Sequence, residues 1–328
     1  MKPTIYDVAA LARVSIATVS RVLNGRARVT EETRARVMEA VESLSYRPSP
    51  VARGLAMRST SVLALFYETF QGYYPMQVIS GAESQAAASG YALLAYQIHG
   101  RDWDDLIRMP GRADGVVVSG NMAHETFLQA LAKGGTPTVI LGHAREDLKM
   151  DGVVADFAGG TRLATEHLIA SGRRRLALVT GPEISGNAAE RREAFLATLA
   201  EHGLESRPEW LREGDYTFVG GARAMKELLA GPERPDAVHC ANDMMAMGAM
   251  QAIEQSGLHV PEDIAVVGFD GVEAGEYMTP PLSTVIQPIE DIGRAAVRLL
   301  LSRIENRDEP VREEILPTRL VVRGSSGA

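Results

Sequence analysis

Apolar segments alternate with amphipathic ones from Thr60 to the end of this 328-residue chain, and no other feature constrains its fold as strongly. The apolar segments are short enough to be buried strands, and the segments between them, such as residues 76–89, carry helical spacing. Strands that alternate with helices indicate parallel sheets joined by crossovers, an α/β architecture. Because the units are too numerous for one core, we expect two sheets. The predicted strands are 62–66, 91–96, 115–118, 138–141, 176–179, 237–240 and 264–267.

The composition excludes several classes of protein. Hydrophobic residues make up 45% of the chain and charged residues 23%, which excludes a disordered chain or a fibre. No stretch approaches the ~18 consecutive apolar residues of a membrane span. The polar, charged start is not that of a signal peptide. The single cysteine, Cys240, cannot form an internal disulfide, so we expect a reducing, cytoplasmic location.

Charge is divided unevenly along the chain. Residues 1–58 carry ten lysines and arginines against five acidic residues, a net charge of +5. The whole chain has a net charge of −8, which leaves −13 for the remainder. A basic head on an acidic body predicts that the head alone meets a polyanion, although a solvated basic face would have the same composition.

The basic head has the capping signals of three helices. Thr4 and Asp7 form a capping-box-like pattern that predicts a helix over 5–12. Ser15 caps a second helix to about residue 23, and Thr30 caps a third over about 31–44. We expect a small core among them, made of Val8, Leu11, Val19, Val22, Val37, Val41 and Leu44, with the small Ala9 where two helices cross closely.

Two short helices joined by a tight turn and followed by a third helix are typical of a helix-turn-helix unit, although a generic three-helix bundle shares the pattern. The second helix presents Ile16, Ala17 and Arg21 outward. Arg21 can form a bidentate contact with guanine, and the two apolar residues can contact a thymine methyl group. The hydroxyl groups of Ser15, Thr18 and Ser20 suit phosphate or sugar oxygens.

Specific motifs in the head resemble those of the lactose-repressor (LacI/GalR) family of bacterial transcription regulators. They are Thr4-Ile5-Tyr6-Asp7-Val8-Ala9, Val14-Ser15, Thr18-Val19-Ser20-Arg21-Val22-Leu23-Asn24, Val29-Thr30, Thr33-Arg34, Val37 and Tyr46-Arg47-Pro48. The resemblance implies a DNA-binding domain over residues 1–47, in which Thr4 and Asn24 also contact DNA.

Residues 48–59 resemble the hinge of the same family. Ser49 and Pro50 suit the start of a helix, but the segment is short and Gly54 weakens it, so we expect it to be helical only on DNA. The resemblance implies that paired hinge helices occupy the minor groove, with Leu55 wedged between base pairs and Ala52 at their close contact. Such a wedge kinks the duplex.

The resemblance extends to residues 60–328, which look like a type I periplasmic-binding-protein fold with an effector-binding and dimerisation role. It implies two lobes, one over about 60–158 plus 288–316 and the other over 159–287 plus 317–328. Three crossovers link them, and ligands bind in the cleft at the carboxyl ends of the strands.

Motifs of the body imply a set of cleft residues. The resemblance assigns a ligand role to Arg191, Asn242 and Asp270, and an aromatic face to Tyr216. The resemblance adds Tyr73 and Tyr74 at the cleft mouth, and Asp156 and Gln287 at the crossovers. Phe157, directly after Asp156, replaces a residue that is usually polar in the family. The implied effector-binding residues are Tyr73, Tyr74, Asp156, Arg191, Tyr216, Asn242, Asp270 and Gln287.

Each of these residues also has a structural interpretation. Arg191 could pair with Glu190 or Glu193, and Tyr216 could be core packing. We interpret Asp243 as the N-cap of a helix and not as a ligand. The methionine cluster is typical of a core or a dimer contact; it comprises Met244, Met245, Met247 and Met250.

The carboxylate, guanidinium and amide groups of the cleft suit a polyol. The resemblance therefore implies a repressor of a carbohydrate-utilisation operon that a small sugar releases from its operator. The alternative is a repressor activated by a purine-like corepressor, which Tyr216 and Tyr74 could stack against. A sugar-transport protein would need a signal peptide, and an enzyme would need a pattern such as a Walker motif or H-E-x-x-H, which the sequence lacks. We expect no cofactor and no metal.

The family's tetramers carry a leucine-heptad tail, whereas this sequence ends in Leu320-Val321-Val322-Arg323-Gly324-Ser325-Ser326-Gly327-Ala328. The resemblance therefore implies a homodimer on a pseudo-palindromic operator.

Overall fold

The structure, a computed structural model, describes residues 3–23, 29–46, 59–68, 72–98, 113–119, 125–183 and 185–327. The chain divides into two compact units, Met1–Thr60 and Ser61–Ala328. The predicted hinge, with Ala52 and Leu55, lies outside the described residues, as does Asn24.

The described residues of the first unit form three short helices, α1 (Ile5–Ala12), α2 (Ile16–Leu23) and α3 (Glu31–Ser43). Local capping fixes where they begin. The N–H and hydroxyl of Thr4 both donate to Asp7 Oδ2, which lowers the pKa of that carboxyl. Thr30 Oγ1 accepts from Thr33 N–H at the start of α3.

The core of this unit differs from the prediction at Leu11, whose side chain is 52% exposed. The inner face of α1 is formed by Val8, Ala9 and Ala12. At ~100° per residue, Leu11 lies roughly 100° away from the centre of that face. Val41 and Leu44 pack at its margin and are partly buried.

Where the structure describes the second unit, it contains two six-stranded sheets, which confirms the α/β architecture. The first sheet has the order β11-β5-β4-β3-β1-β2, and all its neighbours are parallel. Its strands are β1 (Val62–Tyr67), β2 (Ala92–Gln97), β3 (Gly115–Ser119), β4 (Thr138–Leu141), β5 (Asp151–Ala155) and β11 (Glu313–Leu316).

The second sheet has the order β12-β10-β9-β8-β6-β7, with only β12 antiparallel to its neighbour. Its strands are β6 (Leu176–Thr180), β7 (Leu211–Glu213), β8 (Ala237–Cys240), β9 (Ala265–Asp270), β10 (Ser283–Ile286) and β12 (Arg319–Val321). The chain passes between the sheets three times, after β5, β10 and β11.

Helices cover these sheets. They are α4 (Tyr73–Ala88), α5 (Glu125–Lys133), α6 (Phe157–Ala170), α7 (Gly186–Glu201), α8 (Phe218–Leu229), α9 (Asp243–Gln255) and α10 (Ile289–Glu305). Met245, Met247 and Met250 are buried in the core between the second sheet and its helices, which confirms the core interpretation of the methionine cluster. No helix in the described part of the chain is both long and apolar enough to cross a membrane.

Candidate functional site

The outward face of α2 carries the residues predicted to read DNA. Val19 and Val22 anchor the helix in the core of the head, which leaves Ile16, Ala17 and Arg21 exposed. Ser15 Oγ accepts from Thr18 N–H, so this hydroxyl caps the helix and still lies at its exposed N-terminal end. Thr18 and Ser20 are half-buried on the flanks of the helix, and Thr4 is exposed at the start of α1. The exposed face of α2 thus carries apolar and guanidinium groups together, as the prediction of a recognition helix requires.

The second candidate site lies where the carboxyl ends of strands from both sheets meet. Asp270 ends β9, and Gln287 follows β10. Tyr74, at the start of α4 after β1, lies within electrostatic range of Asp270 and Arg191. The site therefore combines residues attached to both sheets, as a cleft between two lobes requires.

Arg191 is the central cation of this cleft. Its Cζ lies 4.2 Å from the ring centre of Phe157 and 4.5 Å from that of Phe269. The side chain is only 4% exposed, and Nε has no hydrogen-bond partner among the described residues. Arg191 forms no ion pair with Glu190 or Glu193, so the simple pairing interpretation is wrong: Glu190 contacts His143 instead. Two aromatic rings hold this guanidinium by cation–π contact.

Asp270 is the carboxylate of the cleft. Gln287 Nε2 donates to its Oδ1 at 2.6 Å. Burial raises the pKa of Asp270 to about 7, even though nearby Arg191 and the bond from Gln287 favour the charged form. The Oε1 atom of Gln287 is buried and has no partner in the described part of the chain. The group thus offers an acceptor in Gln287 and a donor in Arg191 close to one carboxylate.

The sequence predicted Tyr73, Tyr74 and Tyr216 at the cleft, and the first two lie within electrostatic range of Asp270. Tyr216 follows β7, and its hydroxyl lies 3.2 Å from Ser185 Oγ. Tyr73 and Tyr74 begin α4, earlier than the predicted helix start at residue 76, and both are half-buried. The sequence analysis missed Phe157 and Phe269 as contacts of Arg191, because neither lies near that residue in the sequence.

Two predicted ligand residues are occupied by helix capping. Asn242 is the N-cap of α9: its Oδ1 accepts from Met245 N–H, and its Nδ2 donates to the carbonyl of Tyr216. Asp243 is therefore not the cap, and that interpretation is wrong. Asn242 has the extended backbone of a cap, while Asp243 is already in the helix and directs its carboxylate to β10 and the turn after β9. Asp156 caps α6 by accepting from Gly159 N–H.

His143 joins elements of the two sheets. Its Nε2 lies 3.2 Å from Glu190 Oε2 on α7, and its Nδ1 lies 3.3 Å from Glu313 Oε2 on β11. Burial lowers the pKa of this imidazole, but hydrogen bonds to the two carboxylates outweigh burial and raise it overall. These partners could not be predicted for His143, because they lie 47 and 170 residues away in the sequence.

Comparison with known proteins identifies the family of the chain. Residues 4–49 match the model of bacterial regulatory proteins of the lacI family, and residues 165–326 match a periplasmic binding protein-like domain. The HTH-type transcriptional repressor PurR of Aliivibrio fischeri (strain MJ11) is 37% identical over 330 residues, 98% of each chain. This chain belongs to the lacI family of bacterial regulatory proteins.

Other relatives extend the likeness over the whole chain. The ribose operon repressor of Haemophilus influenzae is 34% identical, with 98% of each chain covered. A crystal structure of the lac repressor dimer, bound to operator and the anti-inducer ONPF, is 29% identical over all of both chains, with a TM-score of 0.89. The protein is a DNA-binding transcriptional repressor of this family.

Proposed function

We propose that this repressor controls a carbohydrate-utilisation operon and is released from its operator when a small sugar binds the cleft. The observation that carries the proposal is the group of Asp270, Arg191 and Gln287, in which buried donor and acceptor atoms lie around one carboxylate. A sugar hydroxyl both donates and accepts, so adjacent hydroxyls can satisfy this mixture. The ribose operon repressor among its relatives supports the same class of effector.

A purine-like corepressor is the second candidate. Tyr74 and Tyr216 offer flat faces to a planar base, and the relative named PurR supports this class. Under this alternative, the effector would raise operator affinity instead of lowering it.

Operator titrations separate the two candidates. The full chain is titrated against a labelled fragment of its own promoter at fixed salt, with ribose, cellobiose, hypoxanthine or guanine at saturating concentration. A sugar that weakens operator binding supports the main proposal, and a purine that strengthens it supports the alternative.

Two matched variants test whether the cleft is the binding site. Arg191→Ala removes the buried guanidinium, whereas Arg192→Ala removes an exposed one from the next position of the same helix. Only the first should abolish the response to the effector. An intact response in both Arg191→Ala and Asp270→Ala would show that the effector binds elsewhere.

We also propose that the protein acts as a homodimer, by binding and not by catalysis, in the cytoplasm, where a bacterial operator lies. Several large apolar side chains of the second unit are exposed, among them Met76, Leu94, Val219 and Tyr277. A two-fold dimer would place two heads on a pseudo-palindromic operator. Light scattering at micromolar concentration should give a dimer, and a monomer or tetramer would refute this.

A further inference from the structure

Two residues of the proposed effector site have a strained backbone. Tyr216 has φ 62° and Asp270 has φ 118°, in the region that disfavours residues with a Cβ atom. Such conformations persist only where the surroundings hold them in place. The contacts of the backbone beside these residues therefore show what maintains the site.

The carboxylate of Asp243 holds the turn after Asp270. Its Oδ2 accepts from Gly271 N–H at 2.8 Å and from Val272 N–H at 2.6 Å, and its Oδ1 accepts from the Thr284 hydroxyl at 2.5 Å. Asp243 thereby joins the first turn of α9 to the end of β9 and to β10. Its side chain is fully buried, so no part of it is exposed to the cleft.

The Asp243 carboxylate lies against Gly268 of β9, a position without a side chain. A Cβ atom on Gly268 would lie 2.2 Å from Asp243 Oδ1, so β9 accepts the carboxylate only where a side chain is missing. The arrangement has an electrostatic cost, because burial and the nearby Asp270 raise the pKa of Asp243 to about 8. The charge of Asp243 does not stabilise the fold, because the side chain is buried beside another acid, Asp270. The contribution of Asp243 is therefore the set of hydrogen bonds that it accepts.

We propose that Asp243 is a positioning residue of the effector site, which fixes the turn after Asp270 and so sets where the Asp270 carboxylate lies in the cleft. Asn242, its neighbour, restrains the other strained residue through its bond to the Tyr216 carbonyl, 3.0 Å long. The proposal rests on the proposed function in taking Asp270 as an effector contact. Asp243 would thus contribute to effector binding without contacting the effector.

The test compares Asp243→Ala with Asp243→Asn in the full chain. Alanine removes every acceptor, whereas asparagine keeps one oxygen for the two N–H groups. Ser325→Ala is the matched control, because Ser325 is equally buried and bonds Ser283 N–H and the Val266 carbonyl in the same sheet. It removes buried hydrogen bonds without touching the turn after Asp270.

The first measurement is structural: crystal structures and amide hydrogen exchange of these variants are determined without effector. In Asp243→Ala, we expect Asp270 to leave its positive φ, its bond from Gln287 to break, and the amides of Gly271 and Val272 to lose at least tenfold in protection. Asp243→Asn and Ser325→Ala should retain all three features. An alanine variant with Asp270 and Gln287 unchanged would overturn the proposal. If that variant does not fold, Asp243→Ser, whose hydroxyl is too short to reach both amides, carries the same expectation.

Isothermal titration with ribose and with hypoxanthine gives the second result. For the probe that binds the wild-type chain, Asp243→Ala should bind at least tenfold more weakly, and Asp243→Asn should restore affinity to within a few-fold. Operator binding without effector should be unchanged in all three variants. If neither probe binds, the effector assignment fails while the structural result still decides the positioning role. Equal loss in Asp243→Ala and Ser325→Ala would mean that Asp243 contributes only stability.

Discussion

At the scale of single residues, the acidic groups Asp270 and Asp243 are buried in or beside the cleft, where burial disfavours their ionised forms. The pKa of Asp270 is about 7 in the folded chain, against an ordinary value of 3.8. A raised carboxyl pKa means that the folded state binds the proton more tightly than the unfolded state does. The free energy of unfolding therefore falls as the pH rises from about 4 to about 7, and Asp243 adds a change of the same sign.

We predict that Asp270→Asn stabilises the protein more at pH 8 than at pH 4. Asparagine is neutral in both the folded and the unfolded state, so the variant lacks the stability loss that the wild type undergoes between about pH 4 and about pH 7. The gain at pH 8 should exceed the gain at pH 4 by up to roughly 4 kcal/mol, since each unit of pKa shift corresponds to ~1.4 kcal/mol. Calorimetry at the two pH values checks it, and an equal change at both would contradict it. The same variant should lose its response to effector.

Residue by residue, the sequence predicted best where the cause is local. The capping box of Thr4 and Asp7 involves residues three apart, and the bounds of α1 agree with the prediction. That Asn242 caps α9, and Asp243 does not, could not be predicted from the sequence. Which of two adjacent polar residues caps a helix depends here on Gly271, Val272 and Thr284, which come from other elements.

At the scale of elements, the buried strands were predictable and several others were not. The strands at 115–119 and 176–180 are continuous apolar runs buried on both faces. By contrast, β5 begins with Asp151, whose charge is balanced by Arg303 and Arg312 from distant parts of the chain. The edge strands β7 and β11 contain acidic residues and have half-exposed positions, so their sequences resemble loops.

The second prediction concerns Arg21 on α2, the predicted recognition helix. Arg21→Lys keeps the charge but loses the planar fork that binds guanine, while Arg21→Ala loses both. We expect either change to weaken operator binding by ~1–3 kcal/mol. Binding to random DNA should change little in the lysine variant. Anisotropy titrations on operator and scrambled duplexes measure both; equal losses on the two duplexes would make Arg21 a phosphate contact only.

The hinge gives the third prediction, which concerns residues outside those described. Leu55→Ala should reduce operator affinity and DNA bending together, because an inserted apolar side chain is what holds a minor-groove kink open. A gel-phasing assay measures the bend, and Leu55→Met, which retains an apolar wedge, is the control. Unchanged bending in the alanine variant would rule out the wedge.

At the scale of the whole molecule, the proposed function requires that effector binding in the cleft between the two sheets change the affinity of the DNA-binding head for its operator. An effector can change operator affinity only as far as it binds the two states of the protein with different affinity. Contacts that join the two sheets, such as Tyr74 near Asp270 and His143 against Glu190, are where such a difference can arise. Typical coupling of ~1–3 kcal/mol corresponds to a change of roughly 5–150-fold.

The fourth prediction is that this coupling is reciprocal. If a sugar weakens operator binding by some factor, operator DNA must weaken sugar binding by the same factor, because both changes close one thermodynamic cycle. Calorimetric titration of the sugar into the free protein and into its operator complex measures one side, and operator titrations with and without sugar measure the other.

Asp270→Asn, which should no longer bind the sugar, is the control for nonspecific effects of the sugar on DNA binding. A sugar that releases the operator but binds the free and the DNA-bound protein equally would show that release does not act through the cleft. The same pair of titrations with hypoxanthine would give two equal factors in the opposite direction if the effector is a corepressor.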